Sequence, residues 1–104
     1  MSVLMEFAMF PTDRGESVSH EVSQIINEIK TMTDHYKLTP MGTVIETDTM
    51  EEALEILLRC NKILEKLGAK RIYSSVKFDI RKGKNNRIFS KIKSIENKIG
   101  EVNK

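Results

Sequence analysis

Four charged side chains stand inside runs that alternate polar and apolar residues. Glu6 lies in "VLMEFAMF", Glu46 in "GTVIETDT", and Lys77 and Asp79 in "SSVKFDIR". Carboxylates at such positions can accept charge-assisted hydrogen bonds and favour a nearby cation. Thr43, three residues before Glu46, adds a short hydroxyl. Ser17 and Ser19 add two more, just ahead of an apolar helical pattern. The simpler alternative is that Glu6 and Glu46 pair with Lys77 as a cross-strand charge set. His20 and His35 lie near opposite ends of one helix, too far apart for a local metal pair. There is no Gly-rich phosphate loop, nucleophile elbow or Cys-x-x-Cys, and no nucleophile has an adjacent base.

The elements that position these residues follow from periodicity. Val3 to Phe10 alternate with period 2 and are stopped by Pro11, predicting a first strand. Val18, Val22, Ile25, Ile26, Ile29 and Met32 recur at helical spacing, so a helix runs to about Thr33, with Ser17 or Ser19 available to cap it. Tyr36–Thr39 and Met41–Thr47 read as two short strands around Pro40 and Gly42. Thr49 and Glu52 form a capping-box pattern opening a second helix. Ala53, Leu57, Cys60, Leu64 and Leu67 mark its buried stripe, widened by Leu54, Leu58 and Ile63, and Gly68 ends it. Residues 71–81 alternate again as a last strand. Ile88, Ile92, Ile95, Ile99 and Val102 then describe a final amphipathic helix.

The resulting order, β-α-β-β-α-β-α, predicts a single-domain α+β ferredoxin-like sandwich: an antiparallel sheet, two helices on one face, and an added C-terminal helix. Because unpaired carboxylates avoid burial, Glu6 and Glu46 are expected on the open face with Leu4, Ala8, Phe10 and Val44. Tyr73, Ser75, Lys77 and Asp79 join them, while Ile72, Val76, Phe78 and Ile80 belong to the core. Such an apolar open face predicts self-association, with a ligand pocket at a subunit edge. Period 2 also sends Thr43 and Glu46 to opposite faces, so they share one ligand only if a bulge follows Gly42.

Composition excludes other classes. The 104 residues hold one cysteine, Cys60, so no internal disulfide is expected, and no apolar run is long enough to span a membrane. The start lacks the features of a signal peptide, so a cytoplasmic protein is expected. From Arg81 onward eight basic residues face only Glu96 and Glu101. Their spacing fits the solvated face of the last helix, which makes nucleic-acid binding unnecessary. Two exposed aromatics, Tyr73 and Phe10, are too few for an RNA-reading sheet.

Three phrases, "SVSHEV", "YKLTPMGTVIE" and "RIYSSVKFDIR", together with the element order, resemble the small thiamine-binding (YkoF-like) protein family. The resemblance spans nearly the whole chain, and the hairpin phrase is its most specific part. It implies a ferredoxin-like fold that pairs sheets into homodimers and often homotetramers, with no catalytic set and no required cofactor. It also implies a bound ligand, thiamine or its hydroxymethylpyrimidine part, near a subunit interface. By motif position Thr43 and Glu46 are the first candidate ligand residues, followed by Ser17, Ser19, Lys77 and Asp79. The competing reading is a structural or regulatory homo-oligomer whose open face binds only its own copy.

Overall fold

The computed structural model describes residues 1–104. Four strands form one antiparallel sheet: β1 (Ser2–Pro11), β2 (Tyr36–Thr39), β3 (Gly42–Thr47) and β4 (Ile72–Arg81), in the order β2-β3-β1-β4. Helices α1 (Ser19–Met32) and α2 (Met50–Lys66) cross over one face; α3 (Arg87–Ile99) follows β4. This is the ferredoxin-like arrangement read from the sequence, with β1 and β3 as neighbours and β4 on the far side of β1.

Alternation along β1 builds the core. Val3, Met5, Phe7 and Met9 are buried against Ile45 of β3, Ile25 and Ile29 of α1, and Ala53, Ile56, Cys60 and Leu64 of α2. Ile56 completes the α2 stripe where the sequence suggested Leu54 and Leu58, which are exposed instead. Thr49 caps α2 by accepting from the Glu52 N–H at 3.2 Å, and its hydroxyl meets the Glu52 carboxylate at 3.0 Å. Gly68 takes φ +81 just beyond α2, where a Cβ-bearing residue is strained. The start of α1 departs from expectation. Val18 occupies the N-cap position and no side chain caps it; Ser17 and Ser19 meet each other at 3.5 Å instead.

The β2–β3 turn depends on Gly42. A Cβ there would lie 3.0 Å from the Phe7 carbonyl oxygen, so the hairpin approaches β1 too closely for a side chain. The register from Phe7–Thr43 to Val3–Thr47 then runs without interruption. No bulge follows Gly42, and Thr43 and Glu46 face opposite sides of the sheet.

Two expectations about the sheet faces need correction. The face away from α1 and α2 is not bare, because α3 contacts β1 and β3 there and sets Ile88 and Ile92 near Leu4 and Val44. An amphipathic helix directly after β4 finds its apolar partner on that face. On the α1/α2 side, Phe78 and Ile80 of β4 are exposed rather than core residues, since they lie on the outermost strand with no further neighbour. No helix is long and apolar enough to cross a membrane.

Candidate functional site

The candidate residues separate into three places. Glu46 lies on the α3 side, where its carboxylate holds the start of that helix. Oε2 accepts from the Ser2 hydroxyl at 2.5 Å and the Arg87 backbone N–H at 2.8 Å; Oε1 accepts from the Ile88 N–H at 3.1 Å. Asn86, the N-cap residue, adopts a left-handed conformation and offers no side-chain cap, so Glu46 supplies the acceptor from another element. Burial acts to raise the Glu46 pKa. The bonds from Ser2, Arg87 and Ile88, with the Arg87 charge, outweigh burial and hold the carboxyl below its ordinary value.

Asp79 belongs to the same cluster. It pairs with the Arg87 guanidinium at 3.1 Å and with Lys91 at 3.3 Å, and these bonds hold its carboxyl low. Arg87 is only 4% exposed, and its guanidinium also reaches the Ser2 hydroxyl and the Ser2 and Asp79 carbonyls. Ser2, Glu46, Asp79 and Arg87 thus form one polar anchor joining α3 to the sheet. Sequence reasoning placed Arg87 among solvated basic residues and passed over Ser2. Extending the period of β1 back from Leu4 puts Ser2 on the face of Glu46, a signal present in the sequence. Lys77 stands apart, pairing with Glu6 across strands at 3.6 Å with both side chains well exposed. The cross-strand charge set therefore forms with Glu6 alone.

Thr43 occupies a different environment. It faces α1 at the end of β3 and is 5% exposed, yet its hydroxyl has no hydrogen-bond partner in the chain and is not sealed from the exterior. It lines a cavity of about 260 Å³ between α1 and the β2–β3 hairpin. Nine of the thirteen lining residues are hydrophobic, including Phe7, Met9, Val22, Ile25 and Ile26, and exposed Met41 stands at its hairpin side. The neighbouring Thr39 hydroxyl is occupied, donating to the Gly42 carbonyl at 2.8 Å. Apolar walls with one uncommitted polar group are the usual composition of a small-molecule site. Ser17 and Ser19 are exposed ahead of this wall of α1 and do not line the cavity.

A second cleft, of about 300 Å³, adjoins Glu46 and is lined by Thr33, His35, Thr47, Asp48, Glu52, Asn85 and Asn86. It has no apolar wall. No group of three or more His, Cys, Asp or Glu side chains has an arrangement able to hold a metal ion. Cys60, in the core, has its thiol pushed up to about 12 by burial and by the nearby Glu28 charge, which makes it a poor nucleophile.

Comparison with known proteins follows the same outline. Residues 5–96 match the family model described as thiamine-binding protein. A UPF0045 protein of Methanocaldococcus jannaschii, MJ1052, is 33% identical over 93 residues, covering 89% of this chain and 91% of the relative. Its crystal structure superposes with a TM-score of 0.78, covering 90% of this chain and 95% of that one. A UPF0045 protein of Mycobacterium bovis is 30% identical over 92% of this chain and 93% of its own length. The same fold, at 20% identity and a TM-score of 0.78, occurs in a Thermotoga maritima protein provisionally assigned to thiamine biosynthesis or salvage; 91% of this chain and 99% of that one are covered. With residues 5–96 matched by the family model, this chain belongs to the thiamine-binding protein family.

Proposed function

We propose that the protein is a non-enzymatic binder of thiamine or its hydroxymethylpyrimidine moiety, with the ring seated in the cavity beside Thr43. The observation that carries this reading is the hydroxyl of the nearly buried Thr43, free of any partner in the chain and open to an otherwise apolar cavity. A flat aminopyrimidine presents apolar faces to Phe7, Val22 and Ile25, while its amine and ring nitrogens need a group able to donate and accept. A threonine hydroxyl does both. The volume lies near the lower end for ligand pockets (roughly 300 Å³ upward), which suits a single heteroaromatic ring with the rest of the ligand extending past the hairpin. Family membership and the provisional thiamine assignment of the Thermotoga maritima protein support the ligand class.

The role expected for Glu46 changes within this proposal. Its oxygens already accept three hydrogen bonds at the start of α3, on the face opposite the Thr43 cavity, so it does not contact a ligand seated there. Calorimetric titration with thiamine and with hydroxymethylpyrimidine tests the assignment. Thr43→Val keeps the side-chain volume and removes the hydroxyl. It is expected to weaken binding about tenfold, the equivalent of one hydrogen bond of ~1.4 kcal/mol. Wild-type protein that is folded and takes up neither ligand overturns the proposal. Loss of binding in Glu46→Gln, with Thr43→Val unaffected, moves the site to the polar cleft.

A further inference from the structure

We propose that the groove bounded by α3, Lys104 and strand β2 is a second ligand site, for a small amphipathic anion: an apolar body carrying one carboxylate. The groove holds about 470 Å³, within the range of small-molecule pockets. Its floor lies on the face of the sheet opposite the core, where period 2 in β1 and β3 places Leu4 and Val44. Ile88 and Ile92 of α3 form one wall, and Leu38, Thr39 and Pro40 form the other. Leu4, Val44, Ile88 and Ile92 are each only partly buried, so α3 leaves apolar surface uncovered along its flank. An apolar body seated there removes that surface from water.

Charge selects the occupant. Four charged residues line the groove, Lys37, Arg87, Lys91 and Lys104, and all are cationic. Arg87 is committed, because its guanidinium is buried and bonded to Ser2 and Asp79. The lysines are available. Lys37 forms no ion pair, and it stands opposite Val44 in the β2–β3 ladder, so its ammonium rises from the edge of the apolar floor. Lys91 meets Asp79 at 3.3 Å and Lys104 meets Glu96 at 2.8 Å, but these lysines are 58% and 40% exposed. Such solvated pairs exchange readily for another carboxylate. Glu6, beside Val44 on the same face, is taken by Lys77 at 3.6 Å and does not line the groove. The Thr43 cavity supplies the contrast. It shares Leu38, Thr39 and Pro40 with the groove, yet no charged residue lines it. One cavity suits an uncharged ring, and the other suits an apolar body whose carboxylate accepts charge-assisted hydrogen bonds from lysine.

Titration of the full chain with octanoate, followed by methyl-resolved NMR, tests the proposal. Saturable shifts are expected at Leu4, Val44, Ile88 and Ile92, complete by about 1 mM, with Val22 and Ile25 unmoved. 1-Octanol keeps the chain and lacks the charge, and it is expected to bind about fivefold more weakly. Lys37→Glu, at an exposed strand position, is expected to weaken octanoate about tenfold and leave octanol unchanged. Damage to the fold would weaken both probes together, so this split identifies the charge. Equal affinity for octanoate and octanol, an unchanged octanoate affinity in folded Lys37→Glu, or no saturable shift each overturns the proposal. Shifts confined to Val22, Ile25 and Ile26 also overturn it, because octanoate then enters the Thr43 cavity. Groove methyls that respond to protein concentration and not to octanoate overturn it too, and give the groove to a second copy of the chain. None of these outcomes depends on whether thiamine or hydroxymethylpyrimidine binds beside Thr43.

Discussion

The two faces of the sheet are held by different physics. Toward α1 and α2, alternate residues of β1 and β3 meet helix stripes in an apolar core, where Val3, Met5, Ile29, Ile45, Ala53, Cys60 and Leu64 have no exposure. Toward α3, apolar contact is limited to the region of Leu4, Val44, Ile88 and Ile92. Attachment there depends on the Ser2–Glu46–Asp79–Arg87 anchor. The core of the first face is made of hydrophobic side chains, whereas the second face is held by carboxylates and a guanidinium. The Thr43 cavity opens on the first face, so ligand binding and α3 attachment are separable.

The largest expected effect comes from the core. Leu64→Ala removes a fully buried side chain from the α2 stripe and should cost about 2–5 kcal/mol, read as a lower denaturation midpoint by circular dichroism. A cost below ~1 kcal/mol would show that the core is looser than its burial indicates.

Acid should act selectively on the other face. Glu46 and Asp79 have folded pKa values below their ordinary ones, so their contribution is present above the ordinary carboxylate range. It is lost as pH falls through the lowered folded values, from about pH 4.5 downward, because the released state binds more protons there. Amide exchange, corrected for its intrinsic pH dependence, should show residues 87–99 losing protection before α1 and α2. Simultaneous loss across all three helices would contradict the contrast between faces.

The smallest effect is expected on the surface joining α1 to α2. Arg59 meets Glu28 at 2.6 Å, but the arginine side chain is 45% exposed. Arg59→Ala should change stability by less than about 1 kcal/mol. A larger loss would mean that charge, not apolar packing, also holds the first face.

The contrast between faces also explains what was legible in the sequence. Period 2 in β1, β3 and β4 and period 3.6 in α1 and α2 sufficed for the sheet order and most of the core, because those elements bury apolar residues at regular intervals. The opposite faces of Thr43 and Glu46 followed from the same period. The position of α3 did not, since an amphipathic stripe shows that a helix has a partner surface but not which one. Of the anchor, only the face shared by Ser2 and Glu46 was legible, for a related reason. Ser2 and Arg87 are 85 positions apart and meet only once β1 and the start of α3 are both placed. Phe78 and Ile80 kept the alternation of core residues although their strand lies at an edge, and periodicity cannot distinguish an edge from a centre. Leu54 and Leu58 failed as core residues because Ile56 and Cys60 set the true angle of α2.

Methyl-resolved NMR during titration with hydroxymethylpyrimidine tests the central claim most directly. Saturable shifts at Val22, Ile25 and Ile26, with Val44, Ile88 and Ile92 unmoved, are the predicted result. Shifts confined to the α3 face, or no saturable shifts at all, would contradict it.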